Sequence, residues 1–172
     1  MNDRVAAALD RLEIEDIVRR YCRGIDRRDF ELVRRCFHPD ATDQHGAEPR
    51  SLDEFIAWVD QLTETYQVTQ HLVTGVLVDI GDDYAAVEST GVAVHRGKDP
   101  SPERNLITGF RYLDRFERRA GRWAIAARTG VAEWAIPIPA ARWWELPTHH
   151  PQSRRDRDDP LYALLGSLGL DL

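Results

Sequence analysis

The spacing of apolar residues changes once along the chain. Before about residue 65 they recur every three or four positions, and from Gln67 onward every second position. Ile14, Ile17, Val18, Tyr21, Cys22 and Ile25 make one apolar stripe, which predicts a helix from Val5 to Ile25. Glu15, Asp16, Arg19, Arg20 and Arg23 lie opposite, while Leu9 and Leu12 point away from the stripe, so the first turns are expected to pack against another surface. Gly24 marks the expected stop. A second helix is predicted from Phe30 to Phe37, with Asp29 as N-cap, Phe30, Val33 and Phe37 buried, and Pro39 ending it. "HPDATDQHGAEPR" then reads as a short strand or loop. Ser51 and Glu54 form a capping-box pair that opens a third helix, with Phe55, Val59 and Leu62 on one side.

The second half reads as strands. "VTQHLVTGVLVDI" is β-branched and ends at the turn signal "GDD", and "YAAVESTGVAVHR" is its hairpin partner. After the loop "GKDPSPER", "NLITGFRYLDRFERR" and "RWAIAARTGVAEWAI" flank a tight Ala120–Gly121 turn. Three helices followed by four long strands predict an α+β fold with helices segregated from an antiparallel sheet. The domain is expected over 1–136. The proline-punctuated segment 137–172 is expected to pack on the domain's open end or on a neighbouring subunit. There Trp143 and Trp144 would cover the opening, "SRRDRDDP" would be solvated and "LYALLGSL" would form a short closing helix.

Composition narrows the function. At 172 residues, 42% hydrophobic and 30% charged, the chain suits one globular domain. No apolar run approaches the roughly 18 residues of a membrane span, and the N-terminus has no apolar signal core, so a cytoplasmic protein is expected. Net charge is −6, which argues against a nucleic-acid partner, although 22 of the 23 basic residues are arginine. Cys22 and Cys36 fall in helical patterns and read as buried free thiols.

Candidate chemistry rests on Asp26 and His71. Strand alternation places Thr69, His71, Val73 and Gly75 on one face. A buried histidine needs a hydrogen-bond partner, and an aspartate at the end of the first helix can supply it. Such a carboxylate fixes the imidazole tautomer, leaving the other ring nitrogen to take a proton from substrate. From spacing alone Asp26 suits a pocket rim and an ordinary helix end equally. His38, Asp40 and His45 resemble loose metal ligands but lack a metal motif, and a polar loop is the expected reading. Neither metal nor cofactor is expected.

Three segments, "IEDIVRRYCRGIDRRDFELVRRCFHPDA", "TQHLVTG" and "YLDRFERRAGRWAIAAR", resemble in order the SnoaL-like branch of the nuclear transport factor 2 superfamily. The nearest group is that of scytalone dehydratase, hexachlorocyclohexane dehydrochlorinase and bile-acid 7α-dehydratase. The resemblance implies a cone, three N-terminal helices wrapped by a curved antiparallel sheet, with a pocket inside. It implies an Asp–His dyad of Asp26 and His71, with Tyr21 facing the substrate and Arg128 lining the pocket. His95 matches a second pocket histidine. Thr108, Phe110 and Tyr112 share a strand face that would line the cone, and Phe110 stands where scytalone dehydratase has a small polar residue. Trp58, Trp134 and Phe37 are candidate lining aromatics that fit core positions better. The implied function is a cofactor-independent lyase, dehydratase-like, on a small cyclic and largely apolar molecule. An isomerase or cyclase would use the same dyad. A non-catalytic partner subunit, like the β-subunit of ring-hydroxylating dioxygenases, and a small-molecule binding module are the alternatives. A homo-oligomer, dimer or trimer, is expected.

Overall fold

The computed structural model describes residues 3–98, 104–139, 147 and 149–170. Helix α1 (Asp3–Arg27) leads into α2 (Phe30–Arg35), strands β1 (Phe37–Gln44) and β2 (Arg50–Ser51), and helix α3 (Leu52–Glu64). Four long strands follow: β3 (Tyr66–Ile80), β4 (Tyr84–Gly97), β5 (Leu106–Arg119) and β6 (Arg122–Pro137). Helix α4 (Pro160–Ser167) closes the chain. The strands form one curved sheet in the order β2-β1-β6-β5-β4-β3. All neighbours are antiparallel except β1 and β6.

The apolar stripe of α1 does what its spacing predicts. Ile14, Val18, Tyr21, Cys22 and Ile25 are buried in a core shared with Phe37, Phe55, Phe116 and Ile125. Gly24 does not end the helix. It lies against α2, where a Cβ would come within 2.7 Å of Val33 Cγ2, so its lack of a side chain permits close helix packing. The chain turns instead at Arg28, which takes a positive φ of 54°. Asp29 caps α2 by accepting from Leu32 N, and the Ser51–Glu54 capping box forms as expected. Leu9 and Leu12 are exposed among the described residues rather than packed.

Helix α2 stops at Arg35, and Phe37 opens β1. Pro39 therefore sits inside a strand, not after a helix. It is tolerated because the β1–β6 register is irregular between Phe37 and Thr42, so its missing N–H breaks no regular ladder. Bulging also alters β3. Its register with β4 shifts between Val73 and Gly75, which turns Val76, Val78 and Ile80 inward and leaves Gly75 exposed, off the face of Thr69, His71 and Val73.

The segment after Pro147 folds back onto its own chain. Arg155 donates to the carbonyls of Asp26 (3.1 Å), Thr63 (2.8 Å) and Tyr66 (2.9 Å), bringing together the ends of α1 and α3 and the start of β3. Asp159 caps α4 and pairs with Arg27, and the Tyr162 hydroxyl donates to Asp29. "SRRDRDDP" is mostly exposed, as expected, while Arg155 and Asp159 turn inward to serve helix ends. Trp143 and Trp144 lie outside the described residues.

Candidate functional site

Asp26, on the last turn of α1, faces β3 and is 7% exposed. Its carboxylate accepts three hydrogen bonds, from His71 Nδ1 (2.7 Å), the His71 backbone N–H (2.8 Å) and Thr69 Oγ1 (3.0 Å). Thr69 and His71 share a face two residues apart, so one carboxylate reaches both. An acceptor at Nδ1 selects the tautomer with the proton there. Nε2 then carries the lone pair, and it has no hydrogen-bond partner among the described residues.

His71 borders an open cavity of about 470 Å³ lined by α1, α3 and the inner face of β3–β6, and with Asp26 it also borders a larger, more polar cleft of about 910 Å³. Of the residues singled out in the sequence, Tyr21, Trp58, His95, Thr108, Phe110 and Tyr112 also line it, as does Trp134. Phe37 is core and does not. The wall is largely aromatic. Phe110 sits 5.7 Å from His71 and 4.6 Å from Tyr112, centroid to centroid.

Arg128 departs from its expected place. It is 2% exposed and does not reach the cavity wall. Its Nε and Nη2 bind Asp114 at 2.7 and 2.6 Å, and the guanidinium sits in the corner made by the near-perpendicular rings of Tyr21 (3.9 Å) and Tyr112 (4.1 Å). The reason is register. Arg128 stands directly opposite both Asp114 on β5 and Asp43 on β1, and the Asp114 carboxylate, which binds it, holds it behind the aromatic wall. Burial works against its charge, yet Asp114 and the two tyrosines hold the guanidinium well above its ordinary range. Burial raises the Tyr21 and Tyr112 phenols, with Arg128 opposing in both, so both remain protonated and Tyr21 is a donor, not a base. The thiols of Cys22 and Cys36, both free and buried, are pushed up to about 12 by the same desolvation.

His95 lies 5.9 Å from His71 and 5.0 Å from Tyr66 by ring centroids, with Nδ1 buried and unpartnered. Burial, then the neighbouring His71, pulls it down to about 4. The unfolded chain, with an imidazole near 6.5, binds a proton that folded His95 refuses until about pH 4. The stability this group contributes is present above pH 6.5 and is lost as pH falls toward 4. The effect is on the order of 2 kcal/mol. Urea unfolding at pH 7 and pH 5 is expected to show a smaller acid loss in His95→Phe than in the wild type. Parallel losses would contradict this.

His38 and Asp40 disperse to structural partners, the Glu117 carbonyl (2.9 Å) and Arg119 (2.5 Å). His45 behaves differently. It lines the cavity with Nδ1 2.6 Å from Asp43, a pairing that the loop reading of this stretch missed. The available signal was the two-residue spacing of Asp43 and His45 at the end of a strand.

A protein-family model described as the SnoaL-like domain matches residues 6–129. Comparison with curated proteins gives no match. Among solved structures, a hexachlorocyclohexane dehydrochlorinase of type 3 from Novosphingobium barchaimii superposes with a TM-score of 0.71 at 18% identity, covering 84% of this chain and 98% of that one. A candidate scytalone dehydratase from Novosphingobium aromaticivorans gives 0.69 at 18% identity, covering 88% and 100%. A protein from Kribbella flavida gives 0.70 at 23% identity, covering 76% and 95%. At these identities the likeness is one of fold, shared with the cone of the nuclear transport factor 2 superfamily. With the family model covering most of its length, the chain belongs to the SnoaL-like domain family.

Proposed function

We propose that this protein is a cofactor-independent lyase that removes a proton from carbon in a small cyclic, largely apolar substrate. The observation that carries the reading is the Asp26–His71 pair, with the free Nε2 of the imidazole at the wall of an aromatic cavity. His71 Nε2 takes the proton, the C–H electron pair becomes the new double bond, and the leaving group departs with its own electrons. Asp26 holds the ring in the tautomer that can accept and balances the imidazolium that forms. The cavity supplies apolar contact for a ring body through Phe110, Tyr112 and Trp58. The enzymes among the fold relatives, the dehydrochlorinase and the dehydratase candidate, favour an elimination.

Proton abstraction can be read without knowing the leaving group. β-Tetralone is a bicyclic ketone with acidic C–H bonds beside its carbonyl. Incubated with the protein in deuterium oxide, it is expected to exchange those protons faster than in buffer, as followed by proton NMR. Equal exchange with wild type and with His71→Ala would overturn the proposal.

A further inference from the structure

A second Asp–His pair borders the cavity through its histidine, His45. Asp43 is fully buried at the end of β1, and its Oδ1 lies 2.6 Å from His45 Nδ1. Its other oxygen is buried with no partner among the described residues. As at His71, a carboxylate on Nδ1 leaves Nε2 as the free nitrogen, and Nε2 has no hydrogen-bond partner among the described residues.

The surroundings hold the His45 ring in place. Phe55 stacks on it at 5.5 Å with an interplanar angle of 20°, and Tyr112 meets it edge-on at 5.5 Å. Gly130 on β6 leaves it room: a Cβ there would lie 2.8 Å from Cδ2 and 3.1 Å from Nε2 of the imidazole. Any larger residue at position 130 would push the ring off this wall.

Both imidazoles border the same cavity, at opposite ends of the Phe110–Tyr112 wall. His71 touches the Phe110 end and His45 the Tyr112 end. Between them the surface is aromatic. We propose that His45, positioned by Asp43, binds the far end of the ligand, so that the substrate class is an apolar ring system bearing a hydrogen-bond donor, such as a hydroxyl, at the end opposite the C–H bond that His71 faces. This rests on the reading of the Asp26–His71 cavity as the ligand site.

Two pairs of probes test it: para-hydroxybiphenyl with its para,para′-diol, and β-naphthol with a dihydroxynaphthalene bearing its hydroxyls at opposite ends. Isothermal titration is expected to show at least one diol binding about tenfold tighter than its mono-ol, the worth of one added hydrogen bond. In His45→Phe, which keeps an aromatic ring against Phe55, that gain disappears while mono-ol affinity is retained. In wild-type protein the same diol shifts the ¹⁵N resonance of His45 Nε2 and its mono-ol does not, a readout that a merely structural pair would not produce. If neither diol gains over its mono-ol, or the gain survives His45→Phe, the proposal is overturned. Mono-ol binding that is unchanged in His71→Phe would instead count against the Asp26–His71 reading.

Discussion

Arg128→Met is expected to lower the unfolding free energy by about 3–5 kcal/mol, because it leaves the buried Asp114 carboxylate without its cation. Asp114 loses both of its charge-assisted hydrogen bonds. The cation–π contacts with Tyr21 and Tyr112 go as well. For a domain of ordinary stability, about 5–15 kcal/mol, that is a large fraction of the total. Pairing the change with Asp114→Leu is expected to restore part of the loss, since replacing both partners by apolar groups removes the stranded charge along with the cation. Urea denaturation midpoints, compared at constant slope, measure both effects. A loss below about 1 kcal/mol for the single variant would show that Arg128 is not the keystone of this polar cluster.

The second large effect concerns the dyad. His71→Ala is expected to slow proton exchange from β-tetralone by about 10²- to 10⁴-fold, the usual worth of a positioned general base. Asp26→Asn keeps the shape but not the function. All three bonds to Asp26 come from donors, and an amide offers only one acceptor oxygen while adding two N–H groups. A loss of about 10²-fold or more is expected, and the double variant should be little slower than His71→Ala alone, because the two residues act as one unit. Additive losses would mean that Asp26 and His71 work independently.

How much of this was readable from residues alone follows the range of each interaction. The stripe of α1, the cap at Asp29 and the Ser51–Glu54 box are local, and each forms as its spacing predicts. The long strands β3 to β6 announce themselves by alternation. Strand β1 does not, because Pro39, Asp40 and Asp43 make it polar and the residues that pair with it on β6 lie more than 80 positions away. Asp26 and His71 are 45 residues apart, so their contact was legible only through resemblance. Thr108, Phe110 and Tyr112 share one face, as alternation along β5 predicts, while the burial of Arg128 depends on the register that sets it opposite Asp114. The bulge at Val73–Gly75 and the insertion of Arg155 among three backbone carbonyls have no sequence signal of their own.

The central claim is that Asp26 sets the tautomer of His71. The most direct measurement is the ¹⁵N spectrum of the His71 ring at alkaline pH, where imidazoles are neutral, in wild type and in Asp26→Ala. The account predicts a proton on Nδ1 and a bare Nε2 in the wild type, with that preference lost in the variant. A wild-type ring protonated at Nε2, or a tautomer that does not change when the carboxylate is removed, would contradict it.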